Sequence, residues 1–130
     1  MGMSAVSPIA ILLAALVAFV FSFVWHRLFE RSWMTAAGYK GRPALKAGPL
    51  IVVFVAFVVM AGMLSGLNAH IGDDLQSSMI NAVLAWAGFV LATIVVDHSF
   101  EARSRKLTLI NGLHWLGAFL IMGLILAIVG

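Results

Sequence analysis

Two polar residues, Asn111 and His114, lie well inside the last apolar run of the sequence and are the first candidates for chemistry. They are three positions apart, so on a helix they share one face and could form a polar stripe toward the interior. An ionisable side chain at such a depth is costly and often marks a proton relay or the base of a ligand pocket. We favour interhelical hydrogen bonding for His114, because no acid or second deep histidine obviously completes a relay.

A second set of candidates lies where apolar runs meet basic connections. It comprises His26, Glu30, Asp97, His98, Glu101 and Arg103. Histidine and carboxylate groups could bind a metal such as zinc, or serve as acid and base in a membrane enzyme acting on a lipid or quinone. Their spacing matches no metal-ligand motif, so we predict neither a metal nor a cofactor. Glu101 and Arg105, four positions apart, are expected to form an ion pair on a helix surface.

Evidence for catalysis is otherwise absent from the sequence. We find no Ser/His/Asp arrangement, no glycine-rich loop for phosphate and no HExxH motif. The chain has no cysteine, which excludes thiolate catalysis, thiolate metal sites and disulfides. No catalytic residue is therefore predicted, and an enzyme ranks below the other functions.

The composition indicates that lipid surrounds the elements that must position these residues. The chain is 63% hydrophobic and 10% charged, with a mean hydropathy of +1.10, far from the balance of soluble domains. A net charge of +3 would suggest nucleic acid in a soluble protein. Here the basic residues lie in two clusters beside apolar runs, which favours membrane lipid as a partner and argues against nucleic acid.

Four apolar stretches are long enough to cross a bilayer as helices, which takes about 20 residues each. They cover residues 8–28, 49–67, 75–96 and 107–129, and their unbroken apolar character lacks the alternation of barrel strands. Ser7 and Pro8 suit the start of the first stretch, and Asp73 and Asp74 that of the third. We predict an all-α, polytopic four-helix bundle in which residues 1–130 form a single domain.

The basic residues predict how the chain is oriented. All eight lysines and arginines lie in or beside the connections 29–48 and 97–106, and none lies between the second and third stretches. By the positive-inside rule both connections are cytoplasmic and both termini lie outside, as expected for a multi-pass protein of the cell inner membrane.

Small residues four apart are expected where helices approach closely in lipid. Such rows are Ala10, Ala14 and Ala18 in the first stretch, and Ala61 with Ser65 and Gly62 with Gly66 in the second. Packing within one chain is the preferred interpretation of these rows, with a homodimer contact as the alternative. The leading functional hypothesis is a binding protein, either self-associating or an accessory subunit of another membrane protein. The alternative is a small transporter or proton-coupled carrier that uses Asn111 and His114.

Several motifs carry a family resemblance. Trp25, Phe29, Trp33 and Gly38 follow the first stretch, and the second half contains Trp86-Ala-Gly88-Phe89, Phe100-Glu101-Ala-Arg103-Ser104, Leu109-Ile110-Asn111 and Met122-Gly123. Over nearly the whole chain this pattern resembles a mostly bacterial membrane family of unknown function, DUF1761. The resemblance implies four spans and supplies no established reaction.

Six positions carry over most directly from that family, without an assigned role: Trp25, Phe29, Trp33, Glu101, Arg103 and Asn111. The chain also departs from the family pattern in two places. The family usually has a Trp-Tyr pair where this chain has Trp25-His26, and often a histidine where this chain has Trp115. Two interpretations of His114 follow: it replaces the histidine of the family, or it is unrelated to that histidine.

Overall fold

A computed structural model describes residues 7–41, 44 and 46–130, and every regular element in them is helical. Arg42, one of the basic residues of the first connection, lies outside the described residues. The elements are α1 (Pro8–Leu28), α2 (Glu30–Ala37), α3 (Ala47–Ile71), α4 (Leu75–Ala85), a π-helical segment (Trp86–Leu91), α5 (Ala92–Phe100) and α6 (Arg105–Val129). The predicted all-α fold class is confirmed.

Four helices of the described chain are long and apolar enough to cross a membrane: Pro8–Leu28, Ala47–Ile71, Leu75–Phe100 and Arg105–Val129. The first coincides with the predicted stretch, and the others extend beyond the predicted bounds. Asn68, for example, was assigned to a connection but lies inside α3, which continues until the Gly72 N–H bonds to the Asn68 carbonyl oxygen at 2.9 Å. The loss of apolar character marks where a helix leaves hydrocarbon, whereas its backbone hydrogen bonds continue further.

Side-chain caps start three of these helices. Ser7 Oγ accepts from the Ala10 N–H at 3.3 Å, Asp74 Oδ2 from the Ser77 N–H at 3.3 Å, and Ser104 Oγ from the Leu107 N–H at 3.1 Å. Each bond satisfies a backbone donor that the first helical turn leaves without a partner. Hydrogen bonds from the Ser77 side chain and backbone lower the pKa of Asp74. The caps predicted at Ser7 and Asp74 are confirmed.

Two helices end in the same left-handed turn. After α2, Gly38 has φ 84° and the Tyr39 N–H bonds to the Met34 carbonyl oxygen at 2.8 Å. After α5, Ala102 has φ 54° and the Arg103 N–H bonds to the His98 carbonyl oxygen at 2.9 Å. This six-residue closure is the Schellman motif, in which the left-handed residue is usually glycine.

Helix α6 packs against both α1 and α4, and α1 also packs against α3. The predicted alanine row of α1 (Ala10, Ala14 and Ala18) is buried in this core, together with Phe119 and Met122 of α6. Small residues let two backbones approach in lipid, where association depends on close packing. The row thus serves contacts within the chain.

Glycine on α6 permits the same close approach from the other side. A Cβ added at Gly123 would lie 3.3 Å from the Ser78 carbonyl oxygen, and one at Gly117 would lie 2.5 Å from Phe21 Cζ. A larger residue at Gly123 would press against the backbone of α4, whereas one at Gly117 would displace the Phe21 ring of α1. Gly123 therefore permits the close approach of α4 and α6.

The two basic connections meet at one end of the structure. Ser104 Oγ donates to the Ala36 carbonyl oxygen at 3.2 Å, and an Arg103 guanidinium nitrogen donates to the Ala37 carbonyl oxygen at 3.5 Å. At the other end, Ser7 of α1, Asp73 and Gly130 line one small cavity. The fold thus separates the Lys- and Arg-rich connections from the acidic turn between α3 and α4.

Candidate functional site

His114 lies in the core between α6 and α1. Its side chain is 4% exposed, and its Nε2 is 2.8 Å from Ser22 Oγ on α1. Since Ser22 is itself buried, this hydrogen bond joins two helices away from water. The geometry matches the interhelical bond that was the preferred interpretation of His114.

A second histidine, His26, lies beside His114, contrary to our expectation that none would be near. Their ring centroids are 4.9 Å apart, and His26 Nδ1 donates to the Ser22 carbonyl oxygen at 2.8 Å. From the sequence His26 was placed at the membrane interface, because it directly precedes Arg27. The missed signal is spacing: the row of small residues four apart on α1 continues from Ala18 through Ser22 to His26.

Aromatic rings enclose this histidine pair. Around His114, the Phe21 ring stacks at 6.0 Å between centroids and the Trp115 ring meets it edge-on at 4.8 Å. The Trp33 ring packs edge-on against His26 at 5.7 Å. Neither His114 nor His26 lines any of three cavities in the described part of the chain: the groove beside α5 and α6, the small cavity near Ser7, and the one along α2. The pair therefore has packing partners rather than an open pocket.

Asn111 is less buried than His114, and no hydrogen bond joins the two side chains in the part of the chain that the structure describes. Asn111 and His114 thus share a helix face, but no hydrogen bond connects them into the predicted polar stripe.

Trp25, another family position, packs against Phe29 with 4.5 Å between ring centroids. Its indole nitrogen is buried without a hydrogen-bond partner among the described residues.

Four of the six interfacial candidates have contacts with identified partners. The ring of His26 lies beside that of His114, and His98 Nδ1 is 2.7 Å from Thr108 Oγ1. A carboxylate oxygen of Glu101 lies 3.9 Å from a guanidinium nitrogen of Arg103. Glu30 begins α2, and Asp97 is an exposed residue of α5. Within the described ranges, no three histidine or carboxylate groups are close enough to hold a metal ion. No shared acid and base site results from these contacts.

The predicted helix-surface pair of Glu101 with Arg105 is wrong. Helix α5 ends at Phe100 and α6 begins at Arg105, so the two residues are not one turn apart on a single helix. The left-handed backbone of Ala102 redirects the chain between them. Glu101 contacts Arg103 instead.

A polar network at the opposite end was not predicted. Asn68 Nδ2 donates to Ser78 Oγ at 2.8 Å, Ser78 Oγ donates to the Gly123 carbonyl oxygen at 2.7 Å, and Asn81 Nδ2 donates to Asn68 Oδ1 at 2.9 Å. All three side chains are buried and together they join α3, α4 and α6. Asn81 inside an apolar run was the available signal, but Asn68 had been assigned to a connection.

The two small-residue rows of α3 face in different directions. Ala61 and Ser65 are buried in the core. Gly62 and Gly66 face outward, with nothing within 4 Å of a Cβ added at either position. The outer row therefore has no packing role within the described chain.

Comparison with known proteins agrees with the family resemblance that the motifs indicated. A family model described as Protein of unknown function (DUF1761) matches residues 9–127. This range includes all four apolar helices except a few end residues, and it contains every position that carried the resemblance. No match was found among curated proteins or among solved structures.

Proposed function

The chain belongs to the DUF1761 family, whose description names no reaction, and on that premise we propose that it works by self-association inside the membrane. The observation that supports this proposal is the outward-facing surface of α3. We define the α3 outer face as Val55, Val59, Gly62 and Gly66. These positions are spaced by four, three and four residues, which places them along one stripe of a helix.

The shape of the α3 outer face suits a second helix. Val55 is 52% exposed and Val59 is 58% exposed, while the two glycines leave a shallow depression beside them. In lipid there is no hydrophobic gain from association, so affinity depends on backbones that approach closely and pack well. Valine has few side-chain conformations to lose in a helix, which lowers the cost of ordering such a contact. A second copy of this chain offers a surface of matching shape.

The proposal places this association in the cell inner membrane, with the connections 29–48 and 97–106 in the cytoplasm. The concentration of Lys and Arg in those connections supports that orientation, and the contacts of Ser104 and Arg103 with α2 support a common side. An accessory role beside another membrane protein would use the same outer face, with a different helix opposite it.

Cysteine crosslinking in native membranes tests self-association directly, because the chain has no cysteine of its own. Val59→Cys is expected to give a disulfide-linked dimer under mild oxidation, since a symmetric contact brings the two copies of position 59 together. Phe89→Cys is the matched control, because Phe89 is 78% exposed on a different helix. Dimers from both variants alike, or from neither, would refute the proposed contact.

Glycine substitution supplies the second arm of that test. Gly62→Ile and Gly66→Ile are expected to abolish the Val59→Cys dimer, because the added side chain separates the backbones. Gly88→Ile is the control, since Gly88 also has nothing within 4 Å of an added Cβ but lies on the third span. A partner protein that binds the unchanged chain and is lost from the glycine variants, with no Val59→Cys dimer, would point to an accessory role instead.

A proton-coupled carrier is the second candidate, favoured by the contact of His26 with His114. Two histidines joined through Ser22 at membrane depth are the kind of group that proton pathways use. Proton flux into liposomes that contain the purified protein would test it. We expect flux to be lost in His114→Ala and retained in Asn111→Ala; flux unchanged in His114→Ala removes this candidate.

A further inference from the structure

A large groove lies between the third span and α6. It has a volume of about 570 Å³, within the range of small-molecule sites. We call it the α5–α6 groove and define its walls by Val95 and Ser99 of α5 and by Arg105, Leu109 and Leu113 of α6. None of the functions discussed above uses it.

Two hydrogen bonds hold the walls of the groove in place. At the deep end, Trp86 Nε1 donates to the Gly112 carbonyl oxygen at 2.8 Å. Nearer the basic connection, His98 Nδ1 and Thr108 Oγ1 are 2.7 Å apart. Because the third span and α6 are tied at both levels, the groove is part of the packed structure rather than a gap between loose helices.

Apolar side chains line the groove along its length, parallel to the helices that cross the bilayer. Val95 is 48% exposed, Leu109 60% and Leu113 40%, and all three line it. From Arg105 to Leu113 the helix rises about 12 Å, which is a large part of one hydrocarbon leaflet. Such a surface fits an acyl chain lying parallel to the helices.

The mouth of the groove is positive. Arg103 and Arg105 line it, the hydroxyl of Ser99 lies beside them, and no aspartate or glutamate is among the lining residues. The first turn of α6 begins here, and the positive end of its helix dipole adds to the attraction for an anion. The carboxylate of Glu101, which does not line the groove, lies 3.9 Å from Arg103 and offsets part of this positive charge.

We propose that the α5–α6 groove binds one anionic phospholipid, with the phosphate at Arg103 and Arg105 and an acyl chain along Val95, Leu109 and Leu113. The charge of the mouth selects the head group, since two guanidinium groups recognise phosphate through paired hydrogen bonds. The apolar walls accept the chain without leaving a polar group unpaired. Because no residue of α3 lines the groove, this proposal stands apart from self-association through the α3 outer face.

Fluorescence of Trp86 gives a direct measurement, because this side chain lines the deep end of the groove. The full-length protein, delipidated in a neutral detergent, is titrated with phosphatidylglycerol or phosphatidylcholine carrying the same brominated acyl chains. We expect saturable quenching by phosphatidylglycerol at concentrations about 25-fold lower than for phosphatidylcholine, because two arginines each contribute about fivefold and the two factors multiply. Trp86→Phe is expected to remove the saturable component.

Charge variants separate the groove from general attraction to a basic surface. Arg103→Gln combined with Arg105→Gln is expected to abolish the preference for phosphatidylglycerol. The matched control combines Arg27→Gln with Lys106→Gln, which removes two positive charges outside the groove lining and is expected to keep most of the preference. Glu101→Gln should tighten binding about twofold, because it removes the carboxylate that competes for Arg103.

Leu113→Trp should weaken the binding of both lipids, because the larger side chain fills the path of the acyl chain. Leu124→Trp, at an exposed position outside the groove, should leave the binding of both lipids unchanged. Thermal unfolding identifies variants that fail to fold. If the double variant fails, Arg105→Gln alone tests the charge effect, because it leaves the hydrogen bond from Arg103 to α2 in place. Equal affinity for the two lipids, or equal losses in the two double variants, would overturn the proposal.

Discussion

Asn68 on α3 donates a hydrogen bond to Ser78 of α4, and the Ser78 hydroxyl donates in turn to the Gly123 carbonyl oxygen of α6. Near the basic end, His114 and Ser22 make a comparable link between α6 and α1. In hydrocarbon these groups have no water to bond with, so each prefers the helix arrangement that pairs it. Buried polar residues thus favour particular helix neighbours, in addition to the close packing that small residues allow.

The asparagine network predicts a large difference between two substitutions of the same type. Asn68→Ala removes two buried side-chain hydrogen bonds and is expected to destabilise the protein by about 1–3 kcal/mol. Asn111→Ala is the matched control and should cost much less, since no hydrogen bond of Asn111 occurs in the described part of the chain. Thermal unfolding in detergent, followed by circular dichroism, measures both; equal losses would contradict the network.

The sequence was enough to single out His114, but it did not identify the residues that contact it. A single histidine in an apolar run is conspicuous, so His114 could be found without a structure. Ser22 and His26 could not be assigned to it, because their contact depends on which face of α1 meets α6. The contacts within the interfacial set could not be predicted either, because similar chemistry near one membrane surface does not require that the groups touch.

At the level of elements, the ends of the helices follow backbone rules that the apolar pattern does not contain. Gly38 and Ala102 occupy equivalent left-handed positions after α2 and α5. For an L-residue with a Cβ this conformation costs about 1–2 kcal/mol, whereas glycine adopts it freely. The helix ends and the ion pair of Glu101 were mispredicted because such turns depend on local backbone geometry.

This equivalence predicts substitutions with opposite signs. Ala102→Gly is expected to stabilise the protein by up to about 1 kcal/mol, and Gly38→Ala to destabilise it by about 1 kcal/mol. Gly48→Ala, at the start of α3 with no contact within 4 Å of an added Cβ, is the control and should cause no loss. Melting temperatures in one detergent would decide, and stabilisation by Gly38→Ala would be the contrary result.

For the molecule as a whole, composition predicted the class of fold but not its arrangement. Four apolar stretches gave the four membrane-length helices, because hydrocarbon requires backbone hydrogen bonds within each segment. Hydropathy could not predict that α6 packs against both α1 and α4, because all four membrane-length helices are apolar. The arrangement depends on where small residues such as Ala14, Gly117 and Gly123 permit close approach.

The basic residues predict how these helices are oriented in the membrane, and the proposed function adopts that orientation. Single cysteines can be placed at Lys40, Glu101 and Asp73, all exposed, in a chain with no cysteine of its own. A thiol reagent that cannot cross the membrane is then applied to intact cells and, separately, to lysed cells. We predict that Asp73→Cys reacts in intact cells, whereas Lys40→Cys and Glu101→Cys react only after lysis. Labelling of Lys40→Cys and Glu101→Cys from opposite sides of the membrane would contradict the four-span arrangement.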